Sequence, residues 1–283
     1  HRKGESETNS SYFETYILYW LNNIKANELK PLSFDRLEST IKNHIIPAIG
    51  QYRINELSDS IIQTDLMNPK IKSLSYSSIK KIHDALNACF KYAVTRRDLR
   101  YNPMNTLVMP AKAKFESKAI EIFTDDEIKK LIKSAQSKYS NGVLKYKNGW
   151  GIILMIFTGL RLGEAIALKW SDFDRENKRI KVRRNIALIK NRSSNGSKYN
   201  IIEQNTVKTD KSERSIPLSE RAMEALSHLE KNSSTYVMST KDGNPIRPRN
   251  LQNLFDSMLR DADISHKGLH ATRHSFASML FRM

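Results

Sequence analysis

Hydrophobic positions in the first hundred residues recur at helical spacing. Apolar side chains from Phe13 to Ile24 lie three or four residues apart, which is typical of an amphipathic helix. The same spacing predicts a second helix from about Ser33 to Pro47 and a third from about Ser75 to Val94. Asn102-Pro103 ends the pattern, since proline cannot continue a helix. Residues 11–104 are therefore predicted to form a small all-α domain.

The segments on either side of this domain lack a hydrophobic pattern. Residues 1–10 are polar and are predicted to be a disordered tail. Residues 105–121 contain Pro110 followed by Ala-Lys-Ala-Lys, and they are predicted to be a linker. A second domain, 122–283, is predicted to open at Thr124-Asp-Asp-Glu127, a sequence that favours a capping box at a helix start.

The second domain mixes helical and alternating patterns. Helices are predicted after Thr124, over 150–160, 161–168, 222–229 and 249–259, and from about His270. Between them, one strand is predicted to carry Ile180, Val182, Ile186 and Ile189, with further strands over 200–207 and 215–218. The predicted fold class is mainly α with a small antiparallel β-sheet.

Charge narrows the choice of partner. The formal net charge of +17 favours a polyanion, because a basic surface neutralises phosphates and releases counterions. Residues 1–110 carry 15 basic and 11 acidic side chains, a net charge of +4, and the rest of the chain carries 32 and 19, a net charge of +13. Most of the positive field therefore belongs to the second domain, although charge alone would also fit a ribosomal or membrane-surface protein.

Composition argues against several other classes. The single cysteine, Cys89, excludes an intrachain disulfide, and its place on the apolar side of a helix favours a small buried hydrophobe. The longest apolar run, 151–160, is far shorter than the ~20 residues that span a bilayer. We therefore expect no membrane partner and a soluble, cytoplasmic protein.

Metal and nucleotide sites are not predicted. His270 and His274 are four residues apart on a helix, but Arg273 would place a positive charge beside any metal there. Asp172 and Asp174 follow a predicted helix end, where aspartates commonly make turns. No glycine-rich phosphate loop is present in the sequence, so no cofactor is predicted.

Two arginine motifs carry the candidate chemistry. They are Thr158-Gly-Leu-Arg161-Leu-Gly-Glu164 and His270-Ala-Thr-Arg273-His274. Two arginines and a histidine that converge would clamp one phosphate, because guanidinium groups bind phosphate oxygens bidentately and keep their charge. Glu164 lies on the helical face of Arg161 and could orient it, although an ordinary helix ion pair would have the same spacing.

The motifs resemble the two signature boxes of the tyrosine recombinases, the phage integrase family. Val207–Leu218 resembles the β-hairpin that carries the family's catalytic lysine, and the helical region ending at Asn102-Pro103 resembles its core-DNA-binding domain. The resemblance covers nearly the whole chain, with the boxes in the family's order. It implies a helical core-DNA-binding domain and an α+β catalytic domain that form a C-shaped clamp around double-stranded DNA.

The resemblance implies a role for each matched residue. Arg161 and Arg273 would bind the non-bridging oxygens of the scissile phosphate, and His270 would donate to one of them. Glu164 would support the site without touching the substrate. His274 is expected to pack or hydrogen-bond locally.

Lys208 would protonate the departing 5′ oxygen. Lys211 in the same segment is a rival, but Lys208 fits the alignment to Ile216-Pro217 better. The family's nucleophile is a tyrosine on a later helix, and here the last tyrosine is Tyr236, ahead of the second box. The sequence is either a truncated fragment, which we favour, or a relative that naturally lacks the nucleophile.

The reaction implied by the resemblance is two transesterifications through a 3′-phosphotyrosine, without metal or ATP. Family members assemble as tetramers on two DNA sites, and they integrate or excise mobile elements such as phages and conjugative transposons. Two alternatives stay open at this point. One is a regulatory or architectural DNA-binding protein without catalysis, and the other is a type IB topoisomerase.

Candidate DNA contacts lie on the polar sides of predicted helices. If they bind DNA, most are expected to reach phosphates rather than base edges, and a solvated helix face is the alternative for each. They are Arg36, Thr40 and Asn43 on the second helix, Ser77, Lys80, Lys81 and Lys91 on the third, and Arg247 and Arg249 at a later helix start.

Overall fold

The computed structural model describes residues 11–115, 119–193, 197–205, 214–229 and 234–282. They form two compact units that divide between residues 118 and 119, and each unit has its own hydrophobic core. Helices dominate both, and the strands form two small antiparallel sheets in the second unit. The predicted fold class, mainly α with a small antiparallel sheet content, is confirmed.

Four helical segments build the described part of the first unit, residues 11–115. The first three each pass through a π-helical turn, and the fourth is a single α-helix. They comprise α1 (Phe13–Tyr19), a π turn (Trp20–Lys25) and α2 (Ala26–Glu28); α3 (Pro31–Thr40), a π turn (Ile41–Ile45) and α4 (Ile46–Ile49); α5 (Asp59–Ile61), a π turn (Ile62–Met67) and α6 (Asn68–Ile71); and α7 (Tyr76–Thr95).

The core of the first unit contains the apolar side chains that the helical spacing predicted to be buried. The ring of Phe13 in α1 stacks on Phe90 in α7 with centroids 5.2 Å apart, and Trp20 is almost fully buried beside them. Cys89 is completely buried, as its position on the apolar face predicted, and burial raises the pKa of its thiol. The segment 59–71 is helical although the pattern did not single it out, because its apolar positions span barely two turns before Pro69.

Part of the predicted linker packs against the first unit. Leu107, Met109 and Phe115 contact its core, and the Phe115 ring meets Tyr76 edge-on at 5.5 Å. Two short 3₁₀ turns, Pro103–Asn105 and Lys112–Lys114, lie along this stretch. A chain that follows a surface in such turns buries side chains at irregular intervals, so the lack of periodicity does not mean a lack of packing.

Six helices form most of the second unit over the residues that the structure describes. They are α8 (Asp125–Gln136), α9 (Gly149–Thr158), α10 (Leu162–Ala167), α11 (Glu220–Leu229), α12 (Pro248–Asp261) and α13 (His270–Arg282). The apolar helix α9 lies at the centre, and its residues are buried except Phe157, which is half-buried. The predicted capping box is present at the start of α8, where Thr124 Oγ1 accepts from the Glu127 amide at 3.2 Å and the Glu127 carboxylate accepts from the Thr124 amide at 2.8 Å.

The strands divide between two sheets. β1 (Phe173–Asp174), β2 (Arg179–Val182) and β5 (Arg214–Pro217) form one in the order β1-β2-β5, and β3 (Arg184–Lys190) pairs with β4 (Tyr199–Asn205) in the other. Their registers place Ile180 opposite Ile216 and Ile186 opposite Glu203.

The prediction of one continuous strand through Ile180 and Ile189 is wrong. The chain leaves the first sheet after Val182 and enters the second at Arg184. Val182 and Ile186 are both buried and four residues apart, so the alternation of apolar residues runs across the break. Period-two patterning reports which face of a strand is buried, and it carries no information about the sheet to which a strand belongs.

No helix in the described part of the chain is both long enough and apolar enough to cross a lipid bilayer.

Candidate active site

The first arginine motif follows the end of α9. Gly159 caps this helix with a left-handed φ of 61°, and its amide donates to the Met155 carbonyl at 2.9 Å. A Cβ at this position would lie 2.4 Å from the Phe276 ring of α13, so only glycine fits both the backbone and the packing. The turn that results places Arg161 at the N-cap of α10, with its side chain 56% exposed.

Glu164 lies beneath Arg161 and is 5% exposed. Its Oε2 accepts from the Arg161 amide at 2.8 Å, and its Oε1 accepts from Arg161 Nη1 at 3.1 Å. The predicted pairing of Arg161 with Glu164 is therefore present. The close approach of the β3 backbone explains the glycine between them, because a Cβ on Gly163 would lie 2.7 Å from the Ile186 carbonyl oxygen.

A third arginine, which the sequence reasoning missed, completes the surroundings of Glu164. Arg214 begins β5 and donates from Nη1 to Oε1 at 2.9 Å and from Nη2 to Oε2 at 2.5 Å. Burial acts to raise the pKa of the Glu164 carboxyl, but the bonds from Arg214 and Arg161 outweigh it and hold the pKa below its ordinary value. Nothing in the spacing links residues 164 and 214; the one available signal was an arginine directly before a predicted strand.

The second motif lies in the first turns of α13. Arg273 Nη1 donates to the Gly159 carbonyl at 2.6 Å, which ties this helix to the turn that carries Arg161. Burial, and then the charges of Arg161 and Arg214, lower the pKa of the Arg273 guanidinium, although Glu164 partly opposes them. The two motifs, about 110 residues apart in sequence, thus lie within electrostatic reach of each other.

His270 shares this positive field. Burial, and then the charges of His274, Arg273 and Arg161, lower its pKa. Its imidazole is therefore mainly neutral at neutral pH, and a neutral imidazole still has one N–H to donate. The His274 ring lies perpendicular to that of His270 with centroids 4.7 Å apart, which is the local packing expected of it.

The cluster formed by Arg161, Arg214, Arg273, His270 and Glu164 is called the arginine site below. Two of its guanidinium groups, those of Arg161 and Arg214, bond the buried carboxylate, and the third, Arg273, is held by the Gly159 carbonyl. The side chains of Arg161 and Arg214 stay 56% and 40% exposed, so a solvent-borne anion can reach them. Such a site favours a small dense anion whose oxygens accept from several forks at once.

Acidic residues elsewhere have structural partners. Asp172 is buried, accepts from the Lys169 amide at 3.0 Å and pairs with Arg184. Asp174 accepts from the Asn177 amide at 3.0 Å in a turn, as aspartates at a helix end were predicted to do. Across the ranges that the structure describes, no three His, Cys, Asp or Glu side chains form a group that could hold a metal ion.

Lys208 and its rival Lys211 lie in the segment 206–213, outside the described residues. Their predicted role stays a prediction.

The structure groups three of the candidate DNA-contact residues. Arg36, Thr40 and Lys81 line a groove of about 360 Å³ between α3 and α7, with Trp20 at its base. The other four candidates of the first unit are not part of its lining: the Asn43 amide donates to Ser39, Ser77 contacts Ser75, Lys80 pairs with Asp84, and Lys91 is exposed further along α7.

Arg247 and Arg249 flank Pro248 at the start of α12, as predicted, and both are exposed. Arg247 is the N-cap residue, and its Nη1 donates to Ser197 Oγ at 3.4 Å. Two exposed arginines at a helix start suit a phosphate group, because each guanidinium can donate to phosphate oxygens.

Comparison with known proteins adds to this geometry. Residues 121–283 match the sequence profile of the Phage integrase family, and residues 12–71 match that of the phage integrase N-terminal SAM-like domain. A protein named "Tyrosine recombinase XerC-like" from Caldanaerobacter subterraneus subsp. tengcongensis is 30% identical over 285 residues, covering 93% of this chain and 70% of that protein.

Two solved structures have a similar fold. The Tn1549 transposon integrase in complex with circular intermediate DNA matches with a TM-score of 0.70 at 20% identity, covering 96% of this chain and 88% of that one. A lambda integrase tetramer bound to a Holliday junction matches with a TM-score of 0.68 at 16% identity, covering 97% and 72%. The family profile spans more than half of the sequence and contains both arginine motifs. The chain therefore belongs to the phage integrase family, as those motifs predicted.

Proposed function

We propose that this chain is the phosphate-binding core of a site-specific DNA recombinase that cuts and rejoins strands through a 3′-phosphotyrosine. The observation that carries this proposal is the arginine site, where Arg273 of the second motif donates to the Gly159 carbonyl in the turn that carries Arg161. The biological role that we propose is the integration or excision of a mobile element, which the name of the Tn1549 transposon integrase supports.

The proposed substrate contacts follow from the exposed donors. Arg161 and Arg273 bind the two non-bridging oxygens of the scissile phosphate, and a ring N–H of His270 donates to one of them. Attack at phosphorus adds negative charge to these oxygens, and donors already fixed in place stabilise that charge more than the ground state. Glu164 holds the Arg161 side and does not touch the substrate.

In the proposed reaction, the hydroxyl oxygen of a tyrosine attacks the phosphorus and forms a P–O bond, and the hydroxyl proton passes to solvent. The bond to the 5′ oxygen breaks, and Lys208 gives that oxygen its proton. A 5′ hydroxyl from a partner strand then attacks the phosphotyrosine, returns its proton to the neutral Lys208 amine and releases the tyrosine, which takes up a proton from solvent. The phosphoester energy is conserved throughout, so the exchange needs no ATP.

The attacking tyrosine is not among the residues that follow Arg273 in this sequence. Tyr236, the last one, donates its hydroxyl to Glu203 at 2.9 Å, and burial followed by this bond raises its pKa. A tyrosine held in this way is a poor nucleophile. We therefore propose that the nucleophile is neither Tyr236 nor a residue of the segment 274–283.

The proposed partner is double-stranded DNA. The net charge of +17 supports it, and so do the groove of the first unit lined by Arg36 and Lys81 and the exposed arginines at α12. The lambda integrase structure is a tetramer on a Holliday junction, and we propose the same assembly for this chain.

A nicked suicide substrate tests the reaction. The chain, extended by the natural reading frame beyond Met283, is incubated with DNA whose 5′ fragment diffuses away after cleavage. We expect a covalent protein–DNA adduct that survives denaturation. Loss of the adduct in Arg161→Ala and Arg273→Ala would support the assigned roles.

Two outcomes would contradict the proposal. Tight binding to one site without any adduct would favour a non-catalytic DNA-binding protein. An adduct that forms equally on all sequences and is suppressed by excess competitor DNA would favour a type IB topoisomerase.

A further inference from the structure

The carboxylate of Glu164 is fully occupied by donors. A carboxylate offers about four lone-pair positions, and here each oxygen accepts two hydrogen bonds. Two of these bonds come from Arg161, one of them from its backbone amide, and two come from the guanidinium of Arg214. The bidentate partner of Glu164 is therefore Arg214, fifty residues away, and not its helical neighbour.

Because Arg214 supplies two of the four hydrogen bonds to Glu164, most of the Arg161 guanidinium is available to bind a phosphate. Arg161 reaches Glu164 with Nη1 at 3.1 Å, the longest of the four bonds, and its side chain is the more exposed of the two arginines. A buried carboxylate that loses two donors must recover them, because an unpaired charge away from water is costly. A donor already in contact with this carboxylate is the Arg161 guanidinium, whose remaining N–H groups can replace those lost.

The backbone of Arg214 is placed by strand pairing. It lies in β5 opposite Val182 of β2, and the neighbouring side chains across this ladder, Ile180 and Ile216, are buried. A guanidinium fork fixed by a strand can keep a bidentate geometry that a lysine, with one ammonium group, cannot reproduce.

We propose that Arg214 is a positioning residue of the arginine site. Arg214 donates to both carboxylate oxygens of Glu164. Arg161 therefore uses only one guanidinium nitrogen to bond Glu164, and its other guanidinium nitrogens are available to a phosphate. The inference deepens the proposed function and rests on it, because it assumes that Arg161 binds the scissile phosphate.

The test combines a titration with a double-mutant cycle. The variants are Arg214→Gln, Arg214→Lys, Glu164→Gln and the Arg214→Gln/Glu164→Gln pair, made in the chain extended beyond Met283. Carboxyl ¹³C NMR follows the pKa of Glu164, which the Glu164→Gln spectrum identifies. Adduct formation on the nicked substrate gives the cleavage rate. The matched control is Arg179→Gln, an arginine of the same sheet whose Nε donates to Ser215.

We expect Arg214→Gln to raise the pKa of Glu164 and to slow cleavage about ten- to hundredfold, the range for losing bonds to a charged group. Arg214→Lys should keep the fold but recover little of the rate. In the Glu164→Gln background the same Arg214→Gln change should cost less than about threefold, since the two residues act as one unit. Arg179→Gln should cleave at the wild-type rate.

Two results would overturn the inference. If Arg214→Gln raises the pKa of Glu164 and cleavage continues at the wild-type rate, Arg214 positions nothing that the reaction uses. If Arg214→Gln slows cleavage as much in the Glu164→Gln background as in the wild-type background, Arg214 acts on the phosphate directly. A wild-type protein without any adduct would instead refute the proposed function, and the inference with it, while the titration would still report on the ion pair.

Discussion

Among individual residues, Glu164 does most to determine the arrangement of the arginines. A carboxylate that is 5% exposed must be neutralised, and two guanidinium groups with a backbone amide neutralise it. The pair with Arg161 was visible in the sequence because both lie in one helical turn. The partner Arg214 was not visible, since a contact between a helix and a strand fifty residues later has no local signature.

His270 provides a pH test of the proposed phosphate contact. Its pKa in the free protein lies below its ordinary value of 6.5, because of burial and the neighbouring cations. A phosphate beside it would favour the imidazolium, so binding would take up a proton. We expect affinity for DNA to increase as the pH falls from about 7.5 to about 6, and to increase less in His270→Gln.

Fluorescence anisotropy at several pH values measures this difference in affinity between the wild type and His270→Gln.

The stability of the free protein should change with pH in the opposite direction to its affinity for DNA. Folding lowers the pKa of His270, so the unfolded chain binds more protons below pH 6.5, and the free protein loses stability as the pH falls through that range. If the DNA affinity of His270→Gln changes with pH as much as that of the wild type, the His270 imidazole does not contact the phosphate.

At the level of helices and strands, local chemistry was the most predictable. The capping box at Thr124, the buried face of α7 and the apolar helix α9 each follow from residues within a few turns of one another. The break at Arg183 did not, because alternation continues across it while the sheet changes. Packing of Leu107 and Met109 on the first core was equally hidden, since irregular turns bury side chains at no fixed period.

The turn between α9 and α10 is a point where a single substitution should disturb the site. Gly159→Ala introduces a side chain at a φ of 61° and 2.4 Å from the Phe276 ring. We expect it to lower the free energy of unfolding by about 2–4 kcal/mol, combining backbone strain with overpacking. Chemical denaturation followed by circular dichroism measures the change.

Gly142→Ala is the matched control for this substitution. Gly142 also has a left-handed φ, of 79°, but an added Cβ there meets no atom within 4 Å. Gly142→Ala should lower the free energy of unfolding only by the cost of backbone strain, about 1–2 kcal/mol. Equal losses in the two variants would mean that the contact with α13 contributes nothing to the turn.

For the whole molecule, positive charge is concentrated in the second part of the sequence, and the first unit contributes one grouped set of cations. The groove that contains Arg36 and Lys81 is the candidate DNA-binding surface of that unit. If both residues contact phosphates, the double variant Arg36→Ala/Lys81→Ala should reduce the slope of log affinity against log salt by about two.

Lys129→Ala is the control for the groove variant. Lys129 is exposed on α8 and pairs with Asp126 at 3.0 Å. It belongs neither to the groove lined by Arg36 and Lys81 nor to the start of α12. It should leave the salt slope unchanged. A slope that falls equally in the control and in the groove variant would indicate a general effect of net charge.

The central claim is that the arginine site holds one DNA phosphate. The most direct measurement is a methylphosphonate scan, in which single phosphates of the tightest-binding DNA segment are replaced by neutral groups. For the wild-type chain we expect one position per strand with a sharp loss of affinity, of about ten- to hundredfold, and no such position for Arg161→Ala/Arg273→Ala. A flat wild-type profile, or the same sharp position in the double variant, would contradict the account.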